Sequence, residues 1–233
     1  ITPTVLPPLL TIIVRLDNFF RSVLNKMATG NTPELTVYID VKSPYAFIAL
    51  EPTLALEHEL GSQFHWIPLT LDIPSYLGSA KKNDAGQIVE NNRTKSQWSG
   101  VKYAYKDARR YAALQGRTLL GTQKIWDSSL ANISISWVSK KDRKKLPTYL
   151  MNLFTPFWKR ELDIEDINRV SEILASSNVD VTDFEAYARG SGKQEHDMLQ
   201  ASFHKQGIFG VPTYKFGDEF LFGREHLPYV KWR

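Results

Sequence analysis

The fold is decided by Tyr38-Ile-Asp-Val-Lys-Ser-Pro-Tyr-Ala-Phe47, a stretch near the front of the 233-residue chain. It begins within Leu35-Thr-Val-Tyr-Ile-Asp40, a β-branched and aromatic run that is typical of a buried strand. Ser43 then provides a favoured N-cap, and Pro44 suits the first helical position. Apolar residues continue at helical spacing as far as Gly61. The stretch therefore predicts a strand that leads directly into a helix.

A second stretch, Gly207-Ile-Phe-Gly-Val-Pro-Thr213, introduces the back of the chain. The runs Thr213-Tyr-Lys-Phe216 and Glu219-Phe-Leu-Phe222 flank Gly217-Asp218, which is a β-hairpin signal. Near the front, Phe64-His-Trp-Ile-Pro-Leu69 supplies another strand after the first helix. Strand, helix and strand in this order predict a parallel β–α–β unit, so the class is α/β with an antiparallel hairpin at the end.

The middle of the chain is predicted to be mostly helical. Residues 72–100 are rich in Gly, Asn, Ser and Lys and indicate a long loop or an inserted segment. Helical patterns follow at Lys102–Leu114, Leu146–Arg160, Ile164–Ser176, Thr182–Arg189 and Glu195–Gln206. We expect an N-terminal extension over residues 1–33 and one domain over residues 34–233, with a helical insertion at about residues 72–190.

Composition excludes several classes of function. There is no cysteine, so the chain has no disulfide, no thiolate nucleophile and no cysteine-type zinc site. The five histidines lack the HxxxH and HExxH spacings, which gives metal binding little support. A net charge of +4 is small for this length, and no sustained basic stripe indicates a nucleic-acid partner. The apolar segment Val5–Val14 is too short to span a bilayer, so we expect no membrane association.

Taken together, the two stretches resemble the DsbA-like branch of the thioredoxin-fold superfamily. This branch contains 2-hydroxychromene-2-carboxylate isomerases and kappa-class glutathione transferases, and the resemblance covers Leu35 to Tyr229. It implies a thioredoxin-like fold with an all-helical insertion. Redox members open the first helix with Cys-Pro-x-Cys, whereas this chain has Ser43-Pro44-Tyr45-Ala46. Because both sulfurs are absent, dithiol–disulfide exchange by the chain's own side chains is excluded.

The resemblance implies glutathione as a cofactor, held at the mouth of the first helix. The helix end stabilises an anion, and Ser43 would donate a hydrogen bond to the glutathione thiolate. In the family the proline matching Pro212 is cis, and Val211 would pair with the cysteinyl unit of glutathione.

Further contacts with glutathione are implied, one of them at its γ-glutamyl end. Arg224 and Glu225 fall in a segment that commonly reads Gly-x-Asp-Arg, but here Glu225 replaces the Asp and His226 replaces the Arg. Asn91 matches a family asparagine. The lysine that usually follows is replaced near Gly100, with Lys95 and Lys102 as candidate substitutes.

The implied function is a glutathione-dependent isomerase for a small electrophilic, aromatic substrate. A kappa-like glutathione transferase and a non-catalytic binding domain remain alternatives. Four aromatic residues either line a substrate pocket or pack in the core: Trp98, Tyr103, Tyr105 and Trp126. No clear secretory signal is visible, so a cytoplasmic location is expected. A homodimer is compatible with the sequence.

Overall fold

The computed structural model describes residues 34–83 and 85–233, so the predicted N-terminal extension lies outside the described residues. The strands are β1 (Leu35–Ile39), β2 (His65–Pro68), β3 (Ala80–Lys82), β4 (Ile88–Asn91), β5 (Thr213–Phe216) and β6 (Glu219–Phe222). The α-helices are α1 (Pro44–Leu60), α2 (Ile73–Leu77), α3 (Lys95–Leu114), α4 (Ser129–Lys141), α5 (Leu146–Trp158), α6 (Ile167–Ser176), α7 (Phe184–Arg189), α8 (Ser191–Phe203) and α9 (Leu227–Trp232). Three 3₁₀ turns lie at Arg143–Lys145, His204–Gln206 and Arg224–His226.

The main sheet has four strands in the order β2-β1-β5-β6. Strand β1 pairs in parallel with β2 and antiparallel with β5, and β5 and β6 form the predicted hairpin. Val37 marks the centre of the sheet, since it lies between Trp66 on one side and Tyr214 on the other. The predicted α/β class is therefore confirmed, with the strand β1 buried between its neighbours.

The sequence left a long loop or an inserted segment open for residues 72–100, and the structure shows short regular elements there. The segment contains the short helix α2 and an antiparallel hairpin of β3 and β4, so the inserted part of the chain is not entirely helical. Helix α3 begins at Lys95 rather than Lys102. The reason is a capping box, in which the Thr94 hydroxyl accepts from the Gln97 N–H and the Gln97 side chain accepts from the Thr94 N–H.

Helix α1 continues through a proline because another helix supplies the missing hydrogen bond. Pro52 has no N–H to offer the carbonyl of Ile48, four residues earlier. The side-chain amide of Gln115, just after α3, donates to that carbonyl at 2.9 Å. The helix then ends at Gly61, whose φ of 59° is left-handed. Helix α1 is thus joined to the end of α3 by this hydrogen bond.

An aromatic cluster ties the helical layer to the loop that precedes α1. The Trp158 ring, fully buried, stacks on Phe47 with 5.7 Å between ring centroids. Its indole N–H donates to the carbonyl of Val41 at 3.0 Å. Val41 lies between the end of β1 and Ser43, so this bond anchors the turn that carries the N-cap of α1.

Candidate functional site

The start of helix α1 is built by Ser43 and Pro44, as the sequence predicts. The Ser43 backbone is extended, and its hydroxyl oxygen accepts from the Ala46 N–H at 3.2 Å. Pro44 has no N–H, and the Tyr45 N–H in the first turn has no acceptor within its own helix. Among the described residues no group accepts from the Tyr45 N–H, so this end of α1 presents a donor together with the positive end of the helix dipole.

Val211 lies beside the Ser43 hydroxyl. The hydroxyl donates to the Val211 carbonyl at 3.4 Å, across 168 positions of sequence. The Val211–Pro212 peptide bond is cis. Both Ser43 and Val211 are buried, with 4 % and 3 % of their surfaces exposed. The two stretches that decide the fold thus meet at one hydrogen bond.

A cavity of about 930 Å³ opens next to this bond. Ser43, Tyr45 and Val211 form one part of its wall, and Phe209 and Phe222 form its aromatic rim at 5.0 Å between ring centroids. The remaining wall comes mainly from α2, the β3–β4 hairpin, the part of α3 between Trp98 and Arg109, and residues 121–126. This volume lies at the upper end of the range for small-molecule sites.

The charge on the cavity wall has one sign. Among the described residues, none with an acidic side chain lines the cavity. The basic residues that line it are Lys42, Lys82, Arg93, Lys102, Arg109 and Lys124. Lys124 is paired with Glu165 at 2.5 Å, and burial lowers the pKa of the Arg93 guanidinium. The wall suits an anionic ligand.

Three of the four candidate aromatic residues line the cavity. Trp98 and Trp126 form part of its wall, and Tyr105 joins them with its hydroxyl 3.0 Å from that of Thr122. Tyr103 does not line the cavity and is 60 % exposed. The cavity therefore combines aromatic surface with positive charge.

Asn91 lies behind this wall, since it is not among the residues that line the cavity. Its side-chain oxygen accepts from the indole N–H of Trp98 at 2.9 Å and from the backbone N–H of Arg93 at 3.0 Å. Asn91 thus orients two wall residues. Of the two candidate lysines, Lys102 lines the cavity and Lys95 does not.

Pro212, Arg224 and Glu225 also lie off the cavity wall. The Pro212 carbonyl accepts from the Gly223 N–H at 3.0 Å, which joins the cis-proline turn to the end of β6. The Arg224 guanidinium covers the Tyr111 ring at 3.4 Å from its centroid. The exposed Glu225 carboxylate sits over Gly223, where a Cβ would meet it at 2.3 Å. Their predicted contacts with glutathione stay predictions.

Sequence reasoning missed Lys42, which directly precedes Ser43 and lines the cavity. Only 6 % of Lys42 is exposed, and its ammonium lies 3.9 Å from an oxygen of the fully buried Asp40 carboxylate. Burial raises the pKa of Asp40, against the opposing effect of the nearby ammonium. A lysine between a buried strand and an N-cap was the available signal.

Other kinds of site find no support in the described part of the chain. No group of three or more His, Cys, Asp or Glu residues there could hold a metal ion. Within the same residues, no helix has the length and apolar character needed to cross a bilayer.

Solved structures with this fold support the assignment of its class. A 2-hydroxychromene-2-carboxylate isomerase matches with a TM-score of 0.63 and 19 % identity, over 85 % of this chain and 92 % of its own. A probable DsbA oxidoreductase from Streptomyces coelicolor matches with a TM-score of 0.62 and 14 % identity, over 83 % of this chain and 84 % of its own. The cytosolic disulfide reductase DsbM from Pseudomonas aeruginosa, solved with GSH, matches with a TM-score of 0.57 and 15 % identity, over 81 % and 88 %.

The four-stranded sheet, the capped helix α1 and the cis-proline turn facing it define a thioredoxin-fold protein. The family model of the DSBA-like thioredoxin domain matches residues 34–231, nearly all of the described chain. The chain belongs to that family. None of the curated proteins compared with it matches significantly.

Proposed function

We propose that this protein is a glutathione-dependent isomerase that acts on a small, electrophilic, aromatic substrate in the cytoplasm. The observation that carries the proposal is the meeting of Ser43, the start of α1 and Val211 at the wall of a large cavity. That wall is aromatic and positively charged. Since the chain has no cysteine, its own side chains offer no thiol chemistry, and a thiol has to come from a ligand.

The residues at this corner fit the chemistry of glutathione. The bond between the Ser43 hydroxyl and the Val211 carbonyl is long, at 3.4 Å, and contributes little to stability. If it opens, it offers one donor and one acceptor, which match the thiolate and the cysteinyl N–H of glutathione. The two carboxylates of glutathione suit a wall with basic residues and no acidic side chain among those described. Ser43, Tyr45 and Val211 would hold the thiol end.

The chain's own contribution is positioning and electrostatic stabilisation. The Ser43 hydroxyl and the Tyr45 N–H donate to an anion at the start of α1, which lowers the pKa of a thiol placed there. The aromatic wall formed by Trp98, Tyr105 and Trp126 orients a flat substrate against it and excludes water. Bound glutathione would supply a thiolate nucleophile for reversible addition to the conjugated carbon of an unsaturated carbonyl, with the displaced electron pair held on the carbonyl oxygen, or to a hemiketal carbon with ring opening. After bond rotation the thiolate would leave again, so glutathione is not consumed.

The comparisons give independent support at the level of the fold. One neighbour is an isomerase of 2-hydroxychromene-2-carboxylate, and another was solved with GSH. Their identities of 19 % and 15 % make them guides to candidate ligands.

The test combines binding and turnover. Calorimetric titration with glutathione should give one site per chain. Isomerisation of 2-hydroxychromene-2-carboxylate should require glutathione, and an amount far below that of the substrate should suffice. Ser43→Ala should lower both binding and turnover, whereas Ser176→Ala, at the exposed end of α6, should leave both unchanged. Absence of glutathione binding at millimolar concentration would contradict the proposal.

Two other functions are separated by the same measurements. A kappa-like glutathione transferase would consume glutathione stoichiometrically and release the adduct. A non-catalytic binding domain is favoured by the positions of Arg224 and Glu225, which lie off the cavity wall. It would give no turnover with any electrophile.

A further inference from the structure

Lys42 carries a buried positive charge on the cavity wall, one residue before Ser43. Its ammonium donates to the Trp126 carbonyl at 3.2 Å and lies 3.9 Å from the Asp40 carboxylate. Trp126 and Lys42 both line the cavity, so this side chain runs along the wall and is fixed at its tip. A lysine side chain with 6 % exposure and two anchoring partners has lost the mobility of a surface lysine.

The Asp40 carboxylate, which pairs with this ammonium, lies away from the cavity. Asp40 is completely buried and does not line the cavity. One of its oxygens accepts from the Leu71 N–H at 2.8 Å and the other from the Lys42 N–H at 3.3 Å. Asp127, at the start of α4, also lies within electrostatic reach of the ammonium. The pair is therefore asymmetric, since Lys42 contributes to the cavity wall and Asp40 lies behind it.

Burying such a pair has an energetic cost. Removing two charges from water costs several kcal/mol per ion, and a buried pair is often no more stabilising than apolar residues of the same volume. The Asp40 carboxylate serves the backbone, since it accepts from the Leu71 and Lys42 N–H groups. Those contacts explain the carboxylate, whereas the position of Lys42 on the cavity wall gives its positive charge a further use.

We propose that Lys42 supplies fixed positive charge to the anion bound at Ser43, in addition to the dipole of α1. The identity of that anion as the glutathione thiolate rests on the proposed function. The electrostatic effect itself depends only on where the ammonium, the carboxylate and the start of α1 lie. It lowers the pKa of a thiol at this site beyond what the helix end achieves alone.

The chain's lack of cysteine allows a direct test without a ligand. Ser43→Cys places one thiol at the N-cap, and its thiolate absorbance near 240 nm reports its pKa. In this background, Lys42→Met should raise the thiol pKa by about one pH unit, because the positive charge carried by the adjoining residue is removed. Asp40→Asn should lower it, because the ammonium loses its counter-charge. Lys159→Met, at the exposed end of α5, removes the same charge and should cause no shift.

If Lys42→Met or Asp40→Asn fails to fold, two variants that leave no buried charge unpaired take its place. The double variant Asp40→Asn/Lys42→Met removes the pair as a unit and should still raise the thiol pKa, by less than the single Lys42→Met change. Lys42→Arg keeps the charge and should stay within a few tenths of a unit of the parent. Equal thiol pKa values in the parent, the double variant and Lys42→Met would overturn the proposal.

Titration of the unaltered protein with glutathione distinguishes the two proposals. If glutathione does not bind but Lys42→Met still raises the pKa of the thiol at position 43, the proposed function fails and the role of Lys42 stands. If glutathione binds and the pKa does not move, the role of Lys42 fails alone.

Discussion

Ser43 performs two separable tasks, and substitutions at this position distinguish them. Its hydroxyl oxygen caps α1 by accepting from Ala46, and its hydroxyl hydrogen is available to a ligand anion. Ser43→Ala removes both, whereas Ser43→Gly removes the hydroxyl at a position where glycine is itself an acceptable N-cap. The comparison of Ala with Gly therefore separates the stability of the fold from the function of the site.

The stability effects follow from the capping geometry. Loss of the bond from Ala46 should cost Ser43→Ala about 1 kcal/mol of unfolding free energy. For a domain of this size, that corresponds to a fall of roughly 2–4 °C in melting temperature. Ser43→Gly should lose only a few tenths of a kcal/mol. The 3.4 Å contact with Val211 is too long to add much in either variant.

The binding effects should be equal in the two variants. A hydrogen bond to a charged group contributes about 1.5–3 kcal/mol, so both changes should weaken glutathione binding by roughly 10- to 150-fold. Thermal unfolding measures the first effect and calorimetric titration the second. Ser43→Gly with wild-type affinity for glutathione would refute the role given to the hydroxyl, because this variant keeps its fold and lacks only that donor.

Three further changes test other parts of the account. Gln115→Ala should lower the unfolding free energy by about 1–2 kcal/mol in denaturant titrations, because the buried Ile48 carbonyl loses the hydrogen bond from the Gln115 side chain. Burial raises the pKa of the Tyr149 hydroxyl, so its stabilising contribution is complete below about pH 10 and is lost as pH rises above that value. Tyr149→Phe should therefore reduce the loss of unfolding free energy between pH 9 and 11. Tyr103→Phe, at an exposed site, should not reduce it. Asn91→Ala should weaken substrate binding a few-fold, because it releases the Trp98 ring. If Asn91 acts only through that ring, the same change should have no further effect on binding in a Trp98→Phe background. Equal losses of substrate affinity in both backgrounds would show a separate role for Asn91.

The main features of the fold were predictable because they depend on local rules. Ser43 and Pro44 identify the start of α1 from capping preferences alone, and Gly217 with Asp218 identifies the hairpin at the back. The β3–β4 hairpin was not predicted, since all four residues of β4 are exposed and carry no alternating apolar signal. The early start of α3 at Lys95 was visible in the Thr94 capping box, but lay within a segment of loop-like composition.

The site was predictable only where the resemblance gave residue-by-residue correspondence. It placed Ser43 and Val211 in one site, and the structure joins them by a hydrogen bond across 168 positions, while their contacts with a ligand stay predictions. The sequence alone could not place Arg224 on the face of Tyr111, since that contact depends on how the end of β6 packs against α3. It also could not show that Asn91 supports Trp98 from behind the wall, because a side chain's direction is set by packing.

The central claim is that the start of α1 holds the thiolate of glutathione. The most direct measurement is the pKa of the glutathione thiol in the complex, from its absorbance near 240 nm as pH is varied. We expect a thiol pKa at least one unit below the roughly 8.5 of an unperturbed cysteine thiol. Binding with an unshifted thiol pKa would contradict it.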